Sequence, residues 1–430
     1  MTEPYELTAT EIVAAIEAGT LTCEAVSAAC AERIEALEGS VQAWVHVDRD
    51  AALALARAAD REPSMGLLRG VPFGAKDIVD TADMPTAHGS PIYVGNRPAA
   101  DAPCIAACRN AGAILLGKTV TAEFAHIQPG PTRNPFNPDH TPGGSSSGSA
   151  AAVGAGMVPV AFGTQTTGST IRPAAFCGAV GYKPSYGDFN LTGVRDNSPS
   201  LDTLGLITRS VADLALVRSA VMVLPYEALD EVAARALRIG VCRTPWWDQA
   251  ERYTQELIAD IAGRLSRAGA TVTDFDMPEG AAGLVQAMRD VSGFEFARVM
   301  LHERLHHADQ LSQKLLNGRV NDGVLCSYEG YRAALATLEA YRGRFAAAME
   351  GIDLLLTPSA TGEAPEGIDS TGNSVFNLPW TATYAPAVTL PAGTGPTGLP
   401  LGVQLVGRRN DDQRFLSAAQ AVERLLNKPG

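Results

Sequence analysis

The sequence predicts an α/β protein built as one domain, and three observations carry that expectation. Short apolar strands alternate with amphipathic helices: a turn, strand and helix within residues 201–224, a strand at 238–242, a helix at 254–268 and a strand at 270–275. The 430 residues are 46% hydrophobic, which is enough to bury a large core. No internal repeat and no evident linker divides the chain.

Charge and cysteine usage narrow the class. A net charge of −13 argues against nucleic acid or an anionic membrane as the main partner, because either favours a basic face. Seven cysteines form no CxxC pair and no dense framework, so reduced, mostly buried thiols and a cytosolic setting are expected. The opening MTEPYELTATE lacks the basic start and apolar block of a secretion signal, and no apolar run is long enough to span a bilayer.

Taken in order, residues 7–18 predict a helix capped by Thr8, with Glu11 completing a capping box and Leu7 placed to staple against Ile12. Further helices are expected at 22–37, 49–59 and 101–110, and a buried strand at 112–118. Residues 68–80, LRGVPFGAKDIVD, hold a lysine inside an apolar run; Lys76 reads either as a snorkelling or ion-paired structural group, with Asp77 or Asp80 as partner, or as a functional one. GGSSSGSA (143–150) opens a helix through 150–155, followed by a strand at 157–162. TTGSTIRPA (166–174) should be a tight strand-exit loop in which Gly168 permits a backbone geometry that aims N–H groups into a cleft. Residues 283–316 are largely helical and charged, 352–357 and 401–406 are late buried strands, and the Pro/Gly-rich stretch 377–400 between them reads as loop.

Several short motifs compete for the chemistry. GAILLGKT (112–119) satisfies the phosphate-loop spacing, but its interior residues are the strand itself, so Lys118 reads as a strand-end structural residue. Gly144–Gly148 satisfies G-x-S-x-G with Ser146 at the elbow, yet the histidines that follow, His302, His306 and His307, sit in a helical stretch rather than a late loop. His302, Glu303 and His306 form H-E-x-x-H, the zinc metallopeptidase spacing, with Glu329 a distant further ligand; a solvated polar helix face is the simpler reading.

A fourth arrangement uses Lys76 with the two serine clusters. GVPFGAKDIVDT (70–81), TPGGSSSGSAAAV (141–153), GTQTTGSTIRPAAFCG (163–178), SLDTLG (200–205) and GLPLGVQLVG (398–407) together resemble the amidase signature family over nearly the whole chain. The resemblance implies an α/β/α sandwich with a mixed central sheet spanning 1–430: N-terminal helices to 65, a signature core over 66–225, and the rest of the core with the cleft walls over 226–430. It makes Ser169 the acyl-forming nucleophile, Ser145, 24 residues earlier, the bridging serine with a cis peptide before it, and Lys76 the base. Backbone N–H groups among Thr166, Thr167, Gly168 and Ser169 would hold the oxyanion. A lysine is a base only when neutral, so its apolar surroundings should lower its pKa toward ~7–8, at a cost of roughly 3–4 kcal/mol.

No metal and no organic cofactor is implied, and the partner is a small amide substrate rather than nucleic acid or membrane, with a homodimer left open. Many members carry an aspartate and a second glycine where this chain has Gln165 and Thr167. The subunit of tRNA-dependent amidotransferases is closer to that form, and it would need partner chains and ATP, so transamidation ranks below hydrolysis. The blocks look nearest to malonamidase-type enzymes, in which an arginine three residues after the nucleophile faces a substrate carboxylate. Arg172 holds that place here, the alternative being an ion pair with Asp202. A dicarboxylic half-amide such as malonamate is the expected substrate; carbamates, biuret-like ureas, aryl amides and a catalytically silent binding protein are the alternatives.

Overall fold

The structure is a computed structural model, and it describes residues 2–62 and 66–428. The boundary expected at residue 65 lies outside the described residues. Eleven strands form one sheet: β1 (Trp44–Val47), β2 (Pro72–Lys76), β3 (Ile114–Thr119), β4 (Val160–Gln165), β5 (Val180–Lys183), β6 (Thr203–Thr208), β7 (Arg238–Cys242), β8 (Thr271–Phe275), β9 (Leu354–Pro358), β10 (Ala387–Thr394) and β11 (Pro400–Val406). Their order is β1-β3-β2-β4-β6-β5-β10-β11-β9-β7-β8. The pairs β3·β2, β2·β4, β9·β7 and β7·β8 are parallel and the others antiparallel, giving the expected mixed sheet with flanking helices.

Local signals account for most of the elements. The first long helix, Ala9–Glu17, starts where Thr8 accepts from the Glu11 N–H while the Glu11 carboxylate accepts from the Thr8 N–H at 2.9 Å, and it buries Ala9, Ile12 and Ile16. The next helix runs to Val41, past the expected end at 37, and stops where Gln42 turns left-handed at φ 52°. The strand expected at 157–162 is shifted to Val160–Gln165, which carries Thr164 and Gln165 on its last two positions.

Residues 377–400 correct the loop expected there. They contain a short helix, Leu378–Ala382, and the eight-residue strand β10, which pairs with both β5 and β11. Its first half, Ala387 to Leu390, is fully buried, so apolar burial outweighs the flanking prolines and glycines; Pro391 is accommodated next to a register shift. The segment 166–174 likewise is a loop only to Thr170, after which Ile171–Phe176 forms a helix.

Parallel pairing sets the position of the site. β2 and β4 run side by side, with Phe73 opposite Val160 and Gly74 opposite Ala161, so Lys76 and Thr164 emerge together at the carboxyl edge of the sheet. Ligand sites in α/β sheets favour that edge. Two apolar cores meet around it: Ala75 and Ile78 belong to the first, while Ile171 and Leu201 belong to a second that includes Trp380 and helices Leu284–Val299 and Tyr328–Ala348. All seven cysteines are free thiols and six are buried.

Candidate active site

Lys76 ends β2 with no solvent exposure, and its Nζ lies 2.8 Å from both Ser145 Oγ and Thr164 Oγ1. Burial lowers its pKa from 10.5 to about 7, although Asp202 pulls in the opposite direction. Neither Asp77 nor Asp80 pairs with it. Asp77 faces Lys118 instead, at 3.8 Å. Lys118 donates to Val79 O and Thr86 Oγ1, both at 2.6 Å, which makes it a buried structural cation rather than a phosphate ligand.

Ser145 lies just before the helix Ser147–Gly154, and the Gly144–Ser145 peptide is cis. The Ser146 N–H donates to the Ser169 carbonyl at 3.3 Å, so the two serine-bearing loops lie against each other. No hydrogen bond joins Ser145 Oγ to Ser169 Oγ among the described residues; such catalytic contacts commonly tighten only when substrate is bound. Ser146 is fully buried and exchanges bonds with the Thr164 backbone at 3.2 and 3.3 Å, a structural role unlike that of an elbow nucleophile.

The loop from Thr166 to Thr170 joins β4 to the helix Ile171–Phe176. Gln165 Oε1 accepts from the N–H groups of Thr170 and Ile171, each at 3.1 Å, and so holds the loop from its sheet side. The N–H groups of Thr166, Thr167, Gly168 and Ser169 donate to no other described residue. The loop thus holds four backbone donors without a partner among the described residues, close to the buried lysine–serine pair, as an oxyanion site would require. Gly168 is glycine for a different reason from the one expected. Its φ is not left-handed; a Cβ there would sit 2.5 Å from Asn377 Oδ1 and 2.9 Å from Ser374 Cβ. Gly168→Ala is therefore expected to displace this loop and lower kcat by at least about 100-fold, the loss seen for one oxyanion donor, with little change in Tm. Steady-state kinetics with thermal denaturation checks it.

Two site residues escaped the sequence reading. Thr164 gave no signal beyond its place in the block 163–178, past the expected strand end at 162. Asp202 was visible inside SLDTLG, but only as a candidate partner for Arg172, and the structure corrects that pairing. Asp202 accepts from Thr166 Oγ1 at 2.5 Å and from the N–H groups of Asn197 and Ser198 at 2.7 Å. Burial pushes its carboxyl up to about 7.

Arg172 instead donates through Nε to Thr371 O at 2.6 Å and through one terminal nitrogen to Gly144 O at 2.7 Å. Its other terminal nitrogen is buried without a partner among the described residues. Burial alone lowers the guanidinium to about 10. Arg172 and Ser169 line one cavity of about 340 Å³, together with Thr166 and Thr167. Residues 190–200 contribute Asn197 to its lining and residues 377–383 contribute Leu378. The opposing contribution, Val285, Met288, Arg289, Ser292 and Arg319, comes from helical segments that carried no recognisable motif.

The H-E-x-x-H residues do not assemble a metal site. Glu303 is buried, ion-paired to Arg195 at 2.7 Å and bonded to Tyr93 OH at 2.5 Å, while His302 and His306 are exposed. Glu329 is exposed in the first turn of Tyr328–Ala348. Among the described residues, no group of three or more His, Cys, Asp and Glu side chains is arranged to hold a metal ion. No described helix is long and apolar enough to cross a membrane.

Comparison with known proteins bears on this arrangement. The family model described as Amidase matches residues 24–416. Among curated proteins, one subunit of the Glutamyl-tRNA(Gln) amidotransferase of Chloroflexus aurantiacus is 33% identical, covering 99% of this chain and 98% of its own. Among solved structures, an amidase superposes with a TM-score of 0.90 at 28% identity, over 97% of this chain and 99% of that one. The peptide amidase of Stenotrophomonas maltophilia gives 0.86 at 29% identity, over 100% and 99%. The chain belongs to the amidase family and is a hydrolase of carbon–nitrogen bonds.

Proposed function

We propose that this chain hydrolyses a small, non-peptide amide bearing a carboxylate, a dicarboxylic half-amide such as malonamate, through an acyl-enzyme on Ser169. The observation that carries the reading is the 2.8 Å contact between a dry lysine and Ser145, beside a serine loop with four free N–H groups. Neutral Lys76 takes the Ser145 proton as Ser145 takes that of Ser169, and Ser169 Oγ attacks the amide carbon. The C–N bond breaks as the proton returns through Ser145 to the leaving nitrogen. Water then cleaves the ester by the same relay, so that amide and water become carboxylate and amine. Arg172 supplies the carboxylate contact through its unpartnered nitrogen. The site joins Lys76 to Ser145 and, through Gln165 Nε2 donating to Thr381 Oγ1 at 3.4 Å, reaches the helix Leu378–Ala382, which supports reading the chain as one domain.

Similarity over 99% of the chain to one component of a tRNA-dependent amidotransferase favours a second reading, in which ammonia is released for transfer within a complex. An ammonia-release assay on the isolated chain separates the two, using malonamate, aryl amides, carbamates and biuret-like ureas. Turnover of malonamate without partner chains, with a fluorophosphonate label mapping to Ser169 by mass spectrometry, is the expected result. A label on another residue, or no turnover of any carboxylate-bearing amide, sinks the proposal.

A further inference from the structure

Arg319 is the second cation of the cavity whose charge no side chain neutralises. It lies in the irregular turn Leu316–Val320, where Gly318 departs from helical geometry. Its Nε donates to His126 Nε2 at 3.1 Å and one terminal nitrogen to Arg289 O at 3.4 Å. That first bond requires an unprotonated Nε2, hence a neutral ring with its proton on Nδ1. Burial and the Arg319 charge hold the imidazole far below its usual range, and stacking on Phe296 at 5.0 Å fixes its plane. His126 Nδ1 is itself buried without a partner among the described residues.

Asp322, whose charge also acts on Arg319, makes its contacts elsewhere. Asp322 is forked onto Arg289, at 3.0 and 2.6 Å, and Arg319 has no carboxylate within ion-pair distance among the described residues. The cavity wall thus holds three guanidiniums, of Arg172, Arg289 and Arg319, against the single carboxylate of Asp322, with His126 neutral. Two positive charges are left over. A half-amide with one carboxylate matches one of them, which leaves the half-buried Arg319 with a charge free to meet a second anion. Arg172 and Arg319 are also anchored to different parts of the wall, one to Thr371 and Gly144, the other to His126 and the Arg289 carbonyl.

We propose that Arg319, oriented by His126, binds a second carboxylate carried on the amine half of the substrate. The preferred substrates are then N-substituted half-amides with an anionic group at each end, of the type an amino acid forms with a dicarboxylic acid. The inference rests on the half-amide reading above, with Arg172 taking the acyl-side carboxylate.

Calorimetric titration of the Ser169→Ala protein, which binds without turnover, with N-malonylglycine and with malonamate tests it. N-malonylglycine should bind more tightly than malonamate. Arg319→Gln should weaken N-malonylglycine roughly 10- to 100-fold more than malonamate, the loss expected for one charge-assisted bond. Arg319→Lys should restore part of that difference. Parallel weakening of both ligands, no weakening of either, or no binding of N-malonylglycine overturns the subsite. Hydrolysis of malonamate by the unmodified enzyme is measured alongside. Turnover of malonamate with parallel binding losses removes the subsite alone, whereas turnover of neither compound overturns both readings.

Discussion

Ser169→Ala is expected to lower kcat for malonamate by roughly 10⁴- to 10⁶-fold, the scale of loss when a serine nucleophile is removed from a working triad. The substitution deletes one oxygen at a position that is 8% exposed, leaves Gln165 holding the Thr170 and Ile171 N–H groups, and preserves the Thr166–Asp202 contact. KM should therefore change far less than kcat. Ser145→Ala interrupts the same proton path, so combining the two should cost little more than Ser169→Ala alone, because residues that act as one unit are not additive. Near-normal turnover by Ser169→Ala, or additive losses in the double variant, would falsify the nucleophile assignment. Labelling by a fluorophosphonate supplies an independent readout, since it reports the activated hydroxyl without requiring the correct amide.

The fold and the centre of the site were legible to different degrees, for physical reasons. Strands such as Arg238–Cys242 could be read because a short, mostly apolar run between turn signals leaves few alternatives. β10 was not, because prolines and glycines on both sides mimic a loop and only the neighbouring strands β5 and β11 reveal that its backbone groups are paired. Lys76, Ser145 and Ser169 each lie in a block of recognisable text, and the structure brings Lys76 and Ser145 into contact across 69 residues of sequence. Gln165 was noticed as a departure; its use, holding the Ser169 loop through a side-chain carbonyl, needed coordinates. The cavity wall was the least legible. Arg289, Asp322, Arg319 and His126 come from separated segments with no spacing rule between them, and only tertiary packing shows which charges are paired and which are left for a ligand.

Lys76→Met should lower kcat/KM by roughly 10²- to 10⁴-fold, the usual contribution of a positioned general base, and should change the pH dependence of both activity and stability. In the unmodified enzyme, kcat/KM should rise as pH climbs through about 7, because on the proposed mechanism only the neutral amine accepts the proton that Ser145 relays. The variant should lose that limb. The variant that loses activity should gain stability, most of all at low pH. Below about 7 the lysine is charged in folded and unfolded chains alike, and the folded state bears the full cost of burying it. At ~1.4 kcal/mol per pKa unit, a fall from 10.5 to about 7 sets that cost on the order of 5 kcal/mol, less the bonds to Ser145 and Thr164 that the variant gives up. Between pH 7 and 10.5 the unfolded chain keeps a proton that the folded chain has released, so the lysine's contribution to stability improves with pH across that window. Lys183, also lowered to about 7 by burial, gives a similar slope in both proteins, so the informative quantity is the difference between them. Lys76→Met should be more stable than the unmodified protein by a margin that is greatest below pH 7 and shrinks toward 10.5, measured by denaturant unfolding across the window. A pH-independent difference would mean that Lys76 is not a buried cation held near neutrality, and the base in the mechanism would have to be sought elsewhere.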